Sequence, residues 1–323
     1  MTTSTPTLPS IQNGIDAVEK LMLSQAENYY PDLSSALSLL LSSGGKRIRP
    51  RIILLIGSIF NAPKDTLITL AASIELLHTA TLVHDDLIDG ALVRRGVPTL
   101  NAKWTPAATV LTGDFVFASA AHLASMTNSI EVMSLFSKTL QIIVNGEVNQ
   151  LLSSKCNTSK EDYYRRIYAK TASLFETSTH TAGIISQVTH QQVENLRKFG
   201  YELGMAFQIV DDILDYKGDQ SVVGKPIGGD LRQGLFTLPF LYYIENNKND
   251  TEVTRLLSED CPFDESNIDQ IVERIAQSEA IELSLNEARQ FCKRASQCLQ
   301  QLPESLERAE LEQITNYIVD RDF

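Results

Sequence analysis

From Ile11 onward, apolar residues recur at steps of three and four along almost all of this 323-residue chain, and runs in which apolar and polar residues alternate are almost absent. That period fits one face of an α-helix and leaves little material for a sheet. Helices are expected over 11–28, 31–43, 47–60, 64–90, 106–127, 129–153, 159–186, 190–217 and 229–246, followed by three or four more. The breaks fall at SSGGK (42–46), NAPKD (61–65), RRGVPT (94–99), KGDQSVVGKPIGGD (217–230) and CPFDES (261–266). No linker-like composition divides the chain. The reading is a frayed, flexible N-terminus over 1–10 and one all-α domain over 11–323.

Two helical runs carry an unusual load. LVHDDLIDG (82–90) holds Asp85, Asp86 and Asp89, and IVDDILDY (209–216) repeats the spacing with Asp211, Asp212 and Asp215. Residues i and i+4 lie on one helix face, about 6 Å apart, so each run gathers carboxylates that repel one another. Their neighbours Leu82, Val83, Leu87, Ile88, Ile209, Val210, Ile213 and Leu214 are apolar, which raises that cost. A divalent hard cation reverses its sign. Mg²⁺ suits the pattern because it takes one or two carboxylates and keeps its other positions for water and phosphate. One such run reads equally well as a solvated acidic face; two with identical spacing, both in apolar surroundings, do not. Neither run has the alternating ligands and central glycine of an EF-hand loop. The two runs lie 126 residues apart, too far for a solenoid repeat, and are read as two helices facing one cavity.

A formal net charge of −12 and a pI near 4.9 argue against general nucleic-acid binding and against docking on an anionic membrane. An anionic ligand then needs a local basic patch. GGKRIRPR (44–51) supplies Lys46, Arg47, Arg49 and Arg51 after two glycines at an expected helix start, and RRG adds Arg94 and Arg95 close to the first aspartate run. The segment lacks the Walker A spacing. Cys156, Cys261, Cys292 and Cys298 have neither a CxxC pairing nor zinc-site spacing and read as reduced, as in a cytoplasmic protein. The N-terminus has no basic and apolar targeting pattern. Uninterrupted apolar stretches such as IILLIG fall far short of the roughly 18 residues a membrane span requires, so no transmembrane segment is expected.

DDLID with RRG, GGKRIRP, and FQIVDDILDY with GKPIGGDL closely resemble the motifs of the trans-isoprenyl diphosphate synthases, or polyprenyl synthetases, and the likeness runs from about residue 15 to the closing YIVDRDF. The resemblance implies an all-α isoprenoid synthase fold with helices surrounding a central deep cavity, a homodimer, and about three Mg²⁺ ions with Mn²⁺ as an alternative. It also implies head-to-tail condensation of an allylic diphosphate, farnesyl or geranylgeranyl, with isopentenyl diphosphate. By the same likeness Asp85, Asp89 and Asp211 are direct metal ligands, with Asp86, Asp212, Asp215 and Asp230 acting through water. Arg94, Lys170 and Lys225 match residues that hold the allylic diphosphate, and Lys46, Arg49, His78 and Arg95 match the isopentenyl diphosphate site. Thr171 and Gln208 match positions beside the reacting carbons, so Lys170, Thr171, Gln208 and Lys225 are the candidate catalytic residues.

Several of these have plainer readings. His78 on an apolar helix also reads as a core histidine. Glu147 and Asp114 match family positions, but helix–helix hydrogen bonding explains them as well, and Trp104 reads as core packing. One departure stands out: many short-chain members carry lysine five residues after the position of Asp230, where this chain has Leu235.

In the family, bulky aromatic residues four and five positions before the first aspartate act as a floor for short products. Here those positions are Thr81 and Ala80, with Leu77 and Ile74 one turn deeper. A long all-trans product of about C30 to C45 is expected, with a C20 geranylgeranyl product as the alternative. A class I terpene cyclase and a non-catalytic partner subunit are the rival classes; the intact VDDILD and GGKRIRP weigh against a cyclase, and two whole aspartate runs weigh against a partner subunit.

Overall fold

Helix starts follow the local chemistry of the chain. In the computed structural model, which describes residues 8–27, 29–42, 45–94, 96–152, 159–217, 227–248, 251–257 and 265–320, α1 (Pro9–Ser24) opens on a proline two residues earlier than expected. Then come α2 (Pro31–Ser42), α3 (Ile48–Ile59), α4 (Lys64–Ile88) and the short α5 (Leu100–Lys103). Next are α6 (Pro106–Met126), α7 (Ile130–Leu152) and α8 (Lys160–Ile167). At the starts of α6 and α8, Thr105 and Ser159 accept the backbone N–H groups of Ala108 and Asp162. After these come α9 (Ser173–Ile185), α10 (His190–Lys217), α11 (Gly229–Arg232) and α12 (Leu238–Asn246). The chain closes with α13 (Thr251–Leu256), α14 (Glu265–Gln277), α15 (Glu279–Leu299) and α16 (Leu306–Val319). The all-α expectation holds.

Three local features depart from it. The helix expected over 159–186 is interrupted by a π turn at Tyr168–Ala172, between α8 and α9. The helix expected over 229–246 is two helices, because Gly234 takes φ 77° in the turn after α11 and the chain restarts at α12 with Pro239 in its first turn. Between α4 and α5, β1 (Val93–Arg94) pairs antiparallel with β2 (Val97–Pro98), Arg94 opposite Val97. Gly96, at φ 77°, makes the reversal.

The chain divides into two compact units. The first comprises Met1–Leu140, Leu174–Gly200 and Cys298–Gln313; the second comprises Gln141–Ser173, Tyr201–Gln297 and Ile314–Phe323. In the first, α4 is the core element and packs on α1, α3 and α6. Ile52, Ile53, Leu55, Ile56, Leu76 and Leu77 are fully buried there. The Ser73 hydroxyl donates to the Ala120 carbonyl at 2.8 Å and ties α4 to α6. In the second, Ile209, Val210 and Ile213 of α10 are buried, as are Tyr163, Phe236, Phe240 and Ile275.

Lys64–Ile88 and Pro106–Met126 are long and apolar enough in composition to cross a membrane, although polar residues interrupt both. Within these spans 67% and 44% of the apolar window is buried inside the protein. The two helices pack on each other, which is the use a core helix makes of such composition.

Candidate active site

In the first unit, α4 delivers the first aspartate run at its C-terminal end. Asp89 is the C-cap, Gly90 turns the chain at φ 63°, and the Ala91 N–H returns to the Asp86 carbonyl at 2.8 Å. The Thr99 hydroxyl donates to the Ala91 carbonyl at 2.7 Å and closes the β1–β2 hairpin against the helix end. That closure brings Arg94 onto Asp86, where Nε donates to Oδ1 at 2.8 Å. Asp86 is buried by this arrangement, Asp85 is half-buried and Asp89 is exposed.

His84, one residue before the run, was not singled out from the sequence. Its Nε2 lies 3.4 Å from Asp114 Oδ1, and its ring rests on Gly113, where a Cβ would come within 2.5 Å of it. The signal for this contact was present in the small residue before Asp114 in LTGDFVF.

The basic segment does not act as one patch. Arg47, left-handed at φ 45° before α3, donates to Glu19 at 2.8 Å, to Glu75 at 3.2 Å and to the Leu41 carbonyl at 2.7 Å. Arg51 donates to Glu310 at 2.6 Å. Both arginines are thus committed to carboxylates of the protein, which corrects the reading of all four basic residues as anion ligands. Lys46 is exposed, and Arg49 is buried with its guanidinium 4.4 Å from the centre of the Phe175 ring. Among the expected chain-length residues, Ile74, Leu77 and Ala80 are buried in the α4 core and Thr81 is half-buried, its hydroxyl donating to the carbonyl of half-buried His78 at 2.8 Å. Trp104 packs against the cluster of Ala36, Val83 and Leu100. Arg95 lies outside the described residues.

In the second unit, the second aspartate run is set into a network of hydrogen bonds. The Thr171 hydroxyl donates to Gln208 Oε1 at 2.6 Å, Gln208 Nε2 donates to Asp212 Oδ1 at 2.8 Å, and the Tyr163 hydroxyl donates to Asp212 Oδ2 at 2.8 Å. Burial, with the charge of Asp230 beside it, pushes the Asp212 carboxyl well above the usual carboxylate range, while the two donors pull it back. Burial and the same carboxylate push the Tyr163 phenol up. A bound cation would act on Asp212 in the opposite direction to Asp230.

Asp215 is engaged with backbone. Its two carboxylate oxygens accept the N–H groups of Gly229 and Asp230, each at 3.1 Å, and its carbonyl accepts that of Gly228 at 2.8 Å. These bonds hold Asp230 close to the run. Asp211 is half-buried. Lys170, exposed on the π turn, has its Nζ 3.4 Å from Glu147. That pair depends on a close approach of helices, since a Cβ at Gly146 would fall 2.6 Å from that of Ala169. Leu235 is half-buried, with its N–H on the Asp230 carbonyl at 2.9 Å. Lys225 lies outside the described residues.

Among the described residues no three acidic, imidazole or thiol groups converge as a ready metal cage. One or two carboxylate oxygens are a donor set that suits Mg²⁺, with water and phosphate completing its shell. Cys292 and Cys298 are buried and unbonded to one another; Cys156 and Cys261 lie outside the described residues.

A family model described as polyprenyl synthetase matches residues 30–275. The chain is 36% identical to heptaprenyl diphosphate synthase component 2 of Bacillus subtilis over 315 residues, 97% of this chain and 89% of that protein. It is 33% identical to octaprenyl diphosphate synthase of Haemophilus influenzae over 308 residues, 95% of this chain and 93% of that one. The structure of a polyprenyl synthase from Caulobacter crescentus, complexed with calcium and isoprenyl diphosphate, matches with a TM-score of 0.89 at 32% identity, covering 97% of this chain and 96% of that one.

Proposed function

We propose a specific reaction for this chain, which belongs to the polyprenyl synthetase family and is a prenyltransferase: repeated head-to-tail condensation of isopentenyl diphosphate onto farnesyl or geranylgeranyl diphosphate, to an all-trans polyprenyl diphosphate of about C30 to C45. The observation that carries it is that each unit holds a helix with aspartates at i, i+1 and i+4 and a supporting group already in contact, Arg94 on Asp86 in α4 and Gln208 on Asp212 in α10.

The family depends on Mg²⁺, and when bound the ion draws charge off the allylic diphosphate as its C–O bond ionises. Asp85, Asp89 and Asp211 would hold about three such ions directly. Asp86, Asp212, Asp215 and Asp230 would act through water, and Mn²⁺ would serve as a substitute. Arg94, Lys170 and Lys225 hold the allylic diphosphate, while Lys46, Arg49, His78 and Arg95 hold isopentenyl diphosphate. Thr171 and Gln208 border the carbon that loses its diphosphate, where their oxygens favour the developing positive charge. The isopentenyl double bond attacks that carbon, and the departing diphosphate takes the proton that the new tertiary cation loses.

Small side chains at Ala80 and Thr81, with Leu77 and Ile74 beyond them, support the long product. The similar heptaprenyl and octaprenyl synthases fall inside the range. We place the activity in one polyprenyl synthetase domain over 11–323, in a homodimer in the cytoplasm. The name of the Bacillus subtilis relative, a component, favours a second reading in which another subunit is required.

Purified protein incubated with Mg²⁺, farnesyl diphosphate and labelled isopentenyl diphosphate should give dephosphorylated products in a ladder ending at C30 or beyond. A stop at C20 would replace the long product with geranylgeranyl diphosphate. No elongation would favour the second reading or the cyclase.

A further inference from the structure

Tyr163 has no role in the reaction as set out above, yet it is 1% exposed and its hydroxyl is directed at a site aspartate that is itself 4% exposed. Residues eight apart on an unbroken α-helix are offset by about 80°. The surplus residue of the π turn at Tyr168–Ala172 cuts the offset between Tyr163 and Thr171 to about 20°. Both side chains therefore meet α10 along one line, at Asp212 and Gln208, which are one turn apart. The phenol is fixed from its other sides. The Arg166 guanidinium lies 5.6 Å from its ring centre and is anchored on the Phe236 carbonyl, and the Tyr164 ring stands edge-on at 5.4 Å.

The donors in this chain all run the same way. Asp212 accepts at both oxygens, so the NH₂ end of the Gln208 amide faces the carboxylate and its carbonyl end faces Thr171. The Thr171 hydroxyl then spends its proton on Gln208. What the Thr171 hydroxyl has left to present is lone pairs, the correct sign beside a carbocation, while the Gln208 amide keeps a lone pair on its carbonyl oxygen and one N–H. Remove the tyrosine hydroxyl and Oδ2 becomes a second resting place for the amide, so its direction is no longer unique.

We propose that Tyr163 is a positioning residue for prenyl transfer: by occupying Oδ2 of Asp212 it fixes the Gln208 amide and, through it, the Thr171 hydroxyl. This rests on the roles proposed above for Thr171 and Gln208.

The test is a pair of double-mutant cycles on the full-length protein. In steady state with Mg²⁺, farnesyl diphosphate and isopentenyl diphosphate, Tyr163→Phe should lower kcat about tenfold while both KM values stay within about twofold. In a Gln208→Ala background the same substitution should have no further effect on kcat, because the group it acts through is gone. A raised KM with normal kcat, an unchanged kcat, or losses that multiply in the double variant would overturn the proposal. If the wild type does not elongate, the proposed function falls, and urea unfolding of Tyr163→Phe, Thr171→Val and their combination decides the positioning network. Midpoint losses smaller in the double variant than the sum of the singles support it, and strict additivity overturns it.

Discussion

Lys46 and Arg47 are adjacent, carry the same charge and are put to different uses. Arg47 is withdrawn from water against Glu75, whose side chain is 6% exposed, so Arg47→Ala leaves a buried carboxylate without its partner. That substitution should cost about 3 kcal/mol in urea unfolding and leave the KM for isopentenyl diphosphate unchanged. Lys46→Ala should do the reverse, leaving stability within about 0.5 kcal/mol and raising that KM about tenfold, the value of one lost charge-assisted contact. The spacing of the aspartates was legible in the sequence because helical geometry alone puts i and i+4 together. The partners of Arg47 were not, because Glu19 and Glu75 each lie 28 residues away and only packing brings them in. Tyr163 was invisible for the same reason, since its bond to Asp212 spans 49 residues.

At the scale of elements, α4 packs on α6, and Gly113 of α6 lies against the ring of His84, one residue before the first aspartate run. Gly113→Ala would drive a methyl into the His84 ring, displacing its pair with Asp114 next to Asp85. Overpacking of this kind costs about 1–3 kcal/mol. The variant should therefore melt lower and need more Mg²⁺ for half-maximal activity. A lower melting point with an unchanged Mg²⁺ requirement would separate His84 from the metal site. Ala80→Phe belongs to the same helix: it should shorten the product to C15 or C20, and an unchanged ladder would remove α4 as the floor. Helices were legible from their period over most of the chain. The π turn was not, because one surplus residue hardly disturbs an apolar stripe, and the β1–β2 hairpin was too short for two-residue strands to register as alternation.

Taken whole, the molecule is a polyanion that must bind anions, with 40 acidic residues against 28 Lys and Arg. Pyrophosphate alone should raise the melting temperature little. With Mg²⁺, at about a hundred times its Kd, it should stabilise the fold by about 2.7 kcal/mol, and a chelator should abolish both this gain and turnover. If pyrophosphate alone stabilised fully, the basic residues rather than the ions would be the anion holders. The fold class was legible at this scale because composition and period agree along the chain. The π turn adds a consequence for how such a sequence can change. Deleting one residue within Tyr168–Ala172 would let α8 and α9 anneal into a straight α-helix with ordinary bonding. Everything before the deletion would turn by about 100° and advance by about 1.5 Å relative to Thr171, carrying Tyr163 off Asp212. The shortened chain would hold a better helix and a poorer enzyme, so the surplus residue works as a frame marker, and a length change here is not interchangeable with one in a surface loop.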